Sequence, residues 1–338
     1  MLQSGVKFSR SIRTRAQCSW NAVTRRRPSL EIQISRRHRY GQNQLRKPDL
    51  PSVEGNGTGN AERQNAKAES NQGREKMLIT CEQVSDGHPD KIADQIADAI
   101  VTDCLKKDKD ARVGVEVLIK DYNIVIAGEI TLNTTSPDYQ KLVSDVFKKI
   151  GKNRLGYDPK KFNIRVLVSR QSKDIALGVD KGGAGDQGMM YGYATNETPE
   201  LLPIPFVVAT KFLEKLKEVA DDRIKADAKS QVTFDYGTGR IDTFLCSVQT
   251  ARDITPNDFK AVKKIVSSLM KDTAAERALN TDFNVLINPT GRFEVGGPFA
   301  DCGVTGRKLA CDTYGGIAHI GGGAMCVDGD TEFLTPHG

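Results

Sequence analysis

Val113-Gly114-Val115-Glu116-Val117-Leu118-Ile119, then Lys120-Asp121-Tyr122-Asn123, then Ile124-Val125-Ile126-Ala127-Gly128-Glu129-Ile130-Thr131 is the stretch that decides the fold. Two runs rich in β-branched residues, joined by a short polar link, predict an antiparallel hairpin. Ahead of it, Pro89 suits the first position of a helix, and Ile92, Ile96, Ala99, Ile100 and Cys104 recur at helical spacing. Asp90, Asp94 and Asp98 share a different face of that helix. Behind the hairpin, Leu142, Val143, Val146, Phe147 and Ile150 predict an amphipathic helix that Gly151 stops. The same order returns about 120 residues later. A helix is predicted over Pro205–Val219, strands over Gln231–Asp235 and Arg240–Val248 with a turn at Gly237-Thr238-Gly239, and a helix over Asp258–Met270. Helix, hairpin, helix therefore occurs twice. The expected class is α+β, with duplicated domains whose antiparallel sheets are covered on one face by helices. A third unit begins near Arg292.

The chain has 338 residues, 38% of them hydrophobic, enough for two or three globular domains. Its formal charge of +6 is concentrated at one end. Residues 1–76 hold 16 Lys and Arg against 6 Asp and Glu, and the remainder holds 33 against 37. The globular part is mildly acidic, which argues against a nucleic-acid partner. Seven cysteines, an odd number with no CxxC pair, suggest reduced thiols in an intracellular protein. No apolar run reaches the roughly 18 residues of a membrane helix, so no membrane partner is expected. The basic start is Arg-rich and free of acids before Glu31, as an organellar transit peptide would be. Yet it lacks a sustained helical face, and its Arg-over-Lys usage differs from the rest. The expectation is a disordered or spurious extension of a cytoplasmic protein, with an organellar address as the alternative.

Several short motifs carry chemistry. Ser85-Asp86-Gly87-His88-Pro89-Asp90-Lys91 crowds His, Asp and Lys onto a helix start, where the dipole favours anions; alone, it reads as a capped helix with a solvated first turn. Gly183-Ala184-Gly185-Asp186-Gln187-Gly188 fits GxGxxG, but the nearest predicted strand, Val166–Val168, lies well upstream, so a glycine-rich loop is expected. Asp227-Ala228-Lys229 leads into a strand, and an edge-strand charge is the plainest account of Lys229. Gly303-Val304-Thr305-Gly306-Arg307-Lys308 sets two cations beside permissive backbone, a site for polyphosphate.

Together these motifs, with Asn288-Pro289-Thr290-Gly291-Arg292-Phe293 and Asp312-Thr313-Tyr314-Gly315-Gly316, resemble the S-adenosylmethionine synthetase (methionine adenosyltransferase) family continuously from about Met77 to Ala324. The resemblance implies a pseudo-threefold fold and a reaction in which the methionine sulfur displaces tripolyphosphate from ATP, with Mg2+ and K+ as cofactors and a homodimer or homotetramer as the working form. It places His88 against the phosphate chain and Asp90 on Mg2+. It makes Glu116 the potassium-associated carboxylate. Glu129 and Asp186 fall on the methionine side. Asp227, Ala228 and Lys229 match an ATP-binding stretch, and Arg292 and Phe293 the nucleotide pair. Asp301 matches the carboxylate meeting both nucleoside and methionine amine, Arg307 and Lys308 a tripolyphosphate clamp, and Ala324 a further ATP contact. The implied domains are 77–182, 183–290 and a shortened third unit at 291–325.

The match departs from the family twice. Leu177 stands where the family usually has a methionine-contacting Gln, and the stretch Asp180–Gly183 is short for its lid. After Ala324 the family's Ser-Gly-Lys-Asp is absent. Cys326-Val327-Asp328-Gly329-Asp330-Thr331 instead resembles the opening of an intein over 326–338, with Cys326 the splicing nucleophile. A frameshift, a wrong gene boundary or a divergent tail are the other accounts. On the intein account the chain is an inactive N-terminal extein fragment of a protein-splicing precursor. The first departure is testable: Leu177→Gln lowers the KM for methionine, measured by initial rates, and an unchanged KM removes the idea.

Overall fold

The computed structural model describes residues 76–170 and 191–321. Leu177, Asp186, the Gly183–Gly188 run, Ala324, Cys326 and almost all of the basic extension lie outside the described residues. Strand β1 spans Leu78–Val84, helix α1 Pro89–Lys107, β2 Arg112–Lys120, β3 Asn123–Thr131, α2 Tyr139–Ile150, the short α3 Lys152–Leu155, and β4 Asn163–Ser169. Helix α4 then spans Ile204–Val219, β5 Ile224–Asp235, β6 Arg240–Thr250, α5 Pro256–Ala275, β7 Asn284–Ile287, β8 Gly303–Val304 and α6 Leu309–Asp312. The chain is a mixed α+β protein.

The quoted hairpin forms as its pattern requires. β2 and β3 pair antiparallel from Arg112↔Thr131 to Lys120↔Asn123, with Asp121 at positive φ in the turn. Val113, Val115, Val117 and Ile119 alternate into a core with Ile92, Ile96, Ile100 and Cys104 of α1 and Val143, Phe147 and Ile150 of α2. Period two on the strands meets period 3.6 on the helices, and one sheet face is buried. The other face of β2 carries Glu116 and Leu118, both exposed.

Among the described residues two four-stranded sheets result, ordered β4-β3-β2-β8 and β1-β5-β6-β7. β4 joins β3 in parallel, and β7 joins β6 in parallel. Sheet membership therefore crosses the chain order: the first strand lies in the second sheet, and the late strand β8 lies in the first. The second core sets Val208, Phe212 and Leu216 of α4 and Val262, Val266 and Met270 of α5 against Val232, Phe244 and Val248.

Strand β5 starts seven residues earlier than the hydrophobic pattern suggests. Ile224, Ala226 and Ala228 do alternate inward, but Lys225, Asp227 and Lys229 between them disguise the strand. β5 also pairs on both sides, with β1 and β6, so Lys229 is not an edge-strand charge. It lies opposite Val84 and Ser247. Among the described residues no helix is long and apolar enough to cross a membrane, and the five described cysteines are free thiols.

Gly128 shows how tightly the hairpin is drawn. Its φ is +136°, and a Cβ there would fall 1.8 Å from the Gly114 carbonyl oxygen. Gly128→Ala should therefore cost at least about 2 kcal/mol, read from urea unfolding. A loss below about 0.5 kcal/mol would show that the ladder relaxes freely there.

Candidate active site

The site grows from the loop between β1 and α1. Ser85 holds it to β5: its Oγ donates to the Ala226 carbonyl at 2.6 Å and accepts the Ala228 N–H at 2.8 Å. Asp86 pairs with Arg154 and Lys217, drawing in α3 and α4. A Cβ at Gly87 would sit 2.3 Å from the Ala226 Cβ, so only glycine fits against the strand. His88 then caps α1 with its side chain, Nδ1 accepting the Asp90 N–H at 3.2 Å.

That cap fixes the chemistry of His88. The ring is 2% exposed, and its pKa is lowered to about 4 by burial first and then by the charges of Lys229 and Lys308. It is neutral at physiological pH. With Nδ1 accepting, the proton sits on Nε2, which makes that nitrogen a hydrogen-bond donor.

Asp90 is fully buried and overturns the expectation of a solvated first turn. Its Oδ1 accepts the Val304 N–H at 2.9 Å, and its Oδ2 accepts from the Lys308 ammonium. Burial raises its pKa, but these two donors outweigh it and hold the carboxyl below its ordinary value. One turn on, Asp94 accepts the Gly306 N–H at 3.0 Å, and Lys91 bridges to Asp312 at 2.9 Å. The glycine-rich cation loop is thus moored to the first two turns of α1. Arg307 lies at its exposed rim, 3.9 Å from Asp90.

Asp227 faces the same group from β5. It is 4% exposed; its Oδ2 accepts the Gly297 N–H at 2.7 Å. Burial raises its pKa to about 6, opposed by the Gly297 N–H and Lys229 and assisted by Asp301 and Asp90. His88, Asp90, Asp227, Lys229, Asp301, Arg307 and Lys308 therefore form one electrostatic group, drawn from a loop, a helix start, a strand and the late loop.

Other expected residues lie apart from it. Ala228 is buried in β5 and serves through its N–H. Arg292 pairs with Glu294, and the Phe293 carbonyl accepts the Thr250 N–H; no described hydrogen bond or ion pair ties either to the His88 group. Glu116 and Glu129 share the open face of the first sheet, since Glu129 lies opposite Gly114 and Glu116 opposite Ala127. Glu116 accepts from the Thr305 hydroxyl, which links it to the cation loop. Among the described residues no group of three or more His, Cys, Asp and Glu could by itself hold a metal. Ser85, Gly297, Thr305 and the Lys91–Asp312 pair went unassigned from the sequence. For Gly297 the Gly296-Gly297-Pro298 run was the available signal, and the others stand inside the quoted motifs.

Comparison with known proteins shows the family of the chain. Residues 76–173 match the S-adenosylmethionine synthetase N-terminal domain, 181–293 its central domain and 295–332 its C-terminal domain. The chain is 47% identical over 265 residues to an S-adenosylmethionine synthase of Mesoplasma florum, covering 74% of this chain and 69% of that one. It is 45% identical over 275 residues to the S-adenosylmethionine synthase of Mycoplasma capricolum, covering 78% and 70%. With that of Pseudothermotoga lettingae it is 43% identical over 276 residues, covering 74% and 69%. The chain belongs to the S-adenosylmethionine synthetase family.

The raised pKa of Asp227 has a stability consequence of definite sign. An unfolded Asp releases its proton near pH 4 and the folded Asp227 near 6, so stability falls as pH rises through that window. Asp227→Asn should stabilise the fold by about 2 kcal/mol at pH 7, fading below pH 4, as read from urea unfolding at the two pH values. Equal shifts at both would contradict the assignment.

Proposed function

We propose that the protein is a methionine adenosyltransferase: it transfers the adenosyl group of ATP to the sulfur of L-methionine and hydrolyses the tripolyphosphate to pyrophosphate and phosphate. The observation that carries this reading is the buried His88, whose Nδ1 accepts the Asp90 N–H and leaves Nε2 as the donor, with Lys229 and Lys308 beside it. Displacement at C5′ of the ribose leaves charge on a phosphate oxygen and needs no covalent enzyme intermediate. Donors and cations fixed in advance are the help such a step can use. His88 donates to the departing bridging oxygen. Lys229, Arg307 and Lys308 hold the phosphate chain.

The remaining roles follow the family pattern. Phe293 offers a ring face to adenine, beside Arg292. Asp301 receives the methionine amine, and Glu129 with Asp186 completes the methionine side, across a dimer. Asp227 and Ala228 line the nucleotide, as does Ala324. Asp90 suits Mg2+: it is an ionised oxygen ligand, and that ion commonly takes one or two carboxylates with phosphate oxygens making up the rest. When bound, Mg2+ neutralises phosphate charge. Glu116 with the Thr305 hydroxyl offers oxygen donors for K+. The two described sheets are read as two units of a pseudo-threefold arrangement, with residues from 291 onward opening the third.

Incubating the chain with ATP, L-methionine, Mg2+ and K+ tests the proposal by chromatography of S-adenosylmethionine and assay of released phosphates. Product forms in the wild type, and His88→Ala lowers kcat about 100-fold. An undiminished kcat in that variant would contradict the role of His88; tripolyphosphate cleavage without S-adenosylmethionine would contradict the transferase.

A further inference from the structure

Two buried oxygens near the site lack partners. Asp227 places Oδ2 on the Gly297 N–H, but its Oδ1 has no hydrogen bond. The Tyr157 hydroxyl is also buried and unbonded. Gly297 stands between them: a Cβ there would lie 3.3 Å from the Tyr157 ring and 3.5 Å from its hydroxyl oxygen. The same glycine thus touches both side chains. An unpaired buried hydroxyl and an unpaired carboxylate oxygen each cost stability, the charged one more. Two such penalties flanking one residue imply a shared solution.

The Tyr157 ring is not free to turn away. It meets Phe147 edge-on at 6.1 Å, Phe162 at 5.8 Å and Phe299 at 5.2 Å between centroids. Tyr157 also lines a cleft of about 200 Å³ open to solvent, with Gln249, Arg252 and Gly296 among its other walls, which do not include Asp227. A water is stable where polar partners converge, and the two unpaired oxygens on either side of Gly297 are such partners.

We infer that Tyr157 is a positioning residue for Asp227: its hydroxyl donates through one buried water to the unpaired Asp227 Oδ1, fixing the carboxylate beside the phosphate-facing cations. The water takes the phenol proton as a hydrogen bond and donates in turn to the carboxylate, so no proton leaves either group. Asp227 is also faced by Lys229 from its own strand, Asp90 from α1 and Asp301 from the late segment. The Tyr157 link is the neutral contribution to its orientation. It favours the ionised carboxylate, because a hydrogen bond to the charged form stabilises that form. The consequence for ATP rests on the adenosyltransferase reading; the pairing of Tyr157 with Asp227 does not.

The test uses the full chain without nucleotide. Aspartate carboxyl carbons are labelled with 13C, and Asp227 is assigned by its absence from Asp227→Asn spectra. Tyr157→Phe should move the Asp227 midpoint upward by about half a unit or more. A merely structural loss would lower the melting temperature and leave that midpoint in place, which overturns the inference. If Tyr157→Phe does not fold, a crystal structure of the wild type decides. Ordered water within hydrogen-bond reach of both Tyr157 Oη and Asp227 Oδ1 supports the link; absence of both that water and a direct contact overturns it. ATP binding is measured separately by calorimetry, so a moved midpoint with no ATP affinity would remove the functional reading and keep the pairing.

Discussion

A buried carboxylate with two donors organises this protein. Asp90 sits at the start of α1 with no exposed surface and would be costly there without partners. The Val304 N–H and the Lys308 ammonium supply them. Each partner comes from a segment more than 200 positions later in the chain. One side chain therefore joins the helix to β8 and to the cation loop together. Loss of either donor would leave a desolvated charge, and such losses run to several kcal/mol. The loop that presents Arg307 and Lys308 has its place because α1 needs it.

The opposite wall follows from β5, which is paired on both sides and so is a rigid platform. Ser85 clasps that strand with two hydrogen bonds, and Gly87 allows the contact. His88, at the start of α1, and Lys229, on β5, consequently face a common space. Burial first, and then the charges of Lys229 and Lys308, keep the imidazole neutral, and neutrality leaves it a donor without adding charge of its own. Asp227 sits under opposing influences: burial lifts its pKa while Lys229 and Gly297 pull it down. Stability is given up at neutral pH to keep a carboxylate at that position, a trade common where a site is set by function.

Much of the fold was legible because it repeats simple periods. The hairpin at 112–131 and helices α1, α2, α4 and α5 all show apolar residues at their own spacing. Strand β5 began earlier than expected because the charged Lys225, Asp227 and Lys229 interrupt its apolar residues, two of which are only alanines. The motif residues of the site could be singled out from the family resemblance, yet their states could not. Nothing in Ser85-Asp86-Gly87-His88-Pro89-Asp90 announces that Asp90 is buried while its neighbour His88 is neutral. Those properties depend on Val304, Lys308 and Lys229, all far away in the chain. Sheet membership was equally hidden, since β1 pairs with β5 across about 150 residues. Tyr157 gave no sequence signal, because its meaning lies in what its hydroxyl lacks.

On the proposed function, buried Asp90 holds the Lys308 cation in place for a chain of phosphates. Calorimetric titration of tripolyphosphate into the protein, with Mg2+ present, tests it most directly. Lys308→Met removes the charge while keeping an apolar stem of similar length. Measurable binding is expected for the wild type, weakened at least about tenfold in the variant, with both proteins folded by circular dichroism. Equal affinity in the two would contradict it.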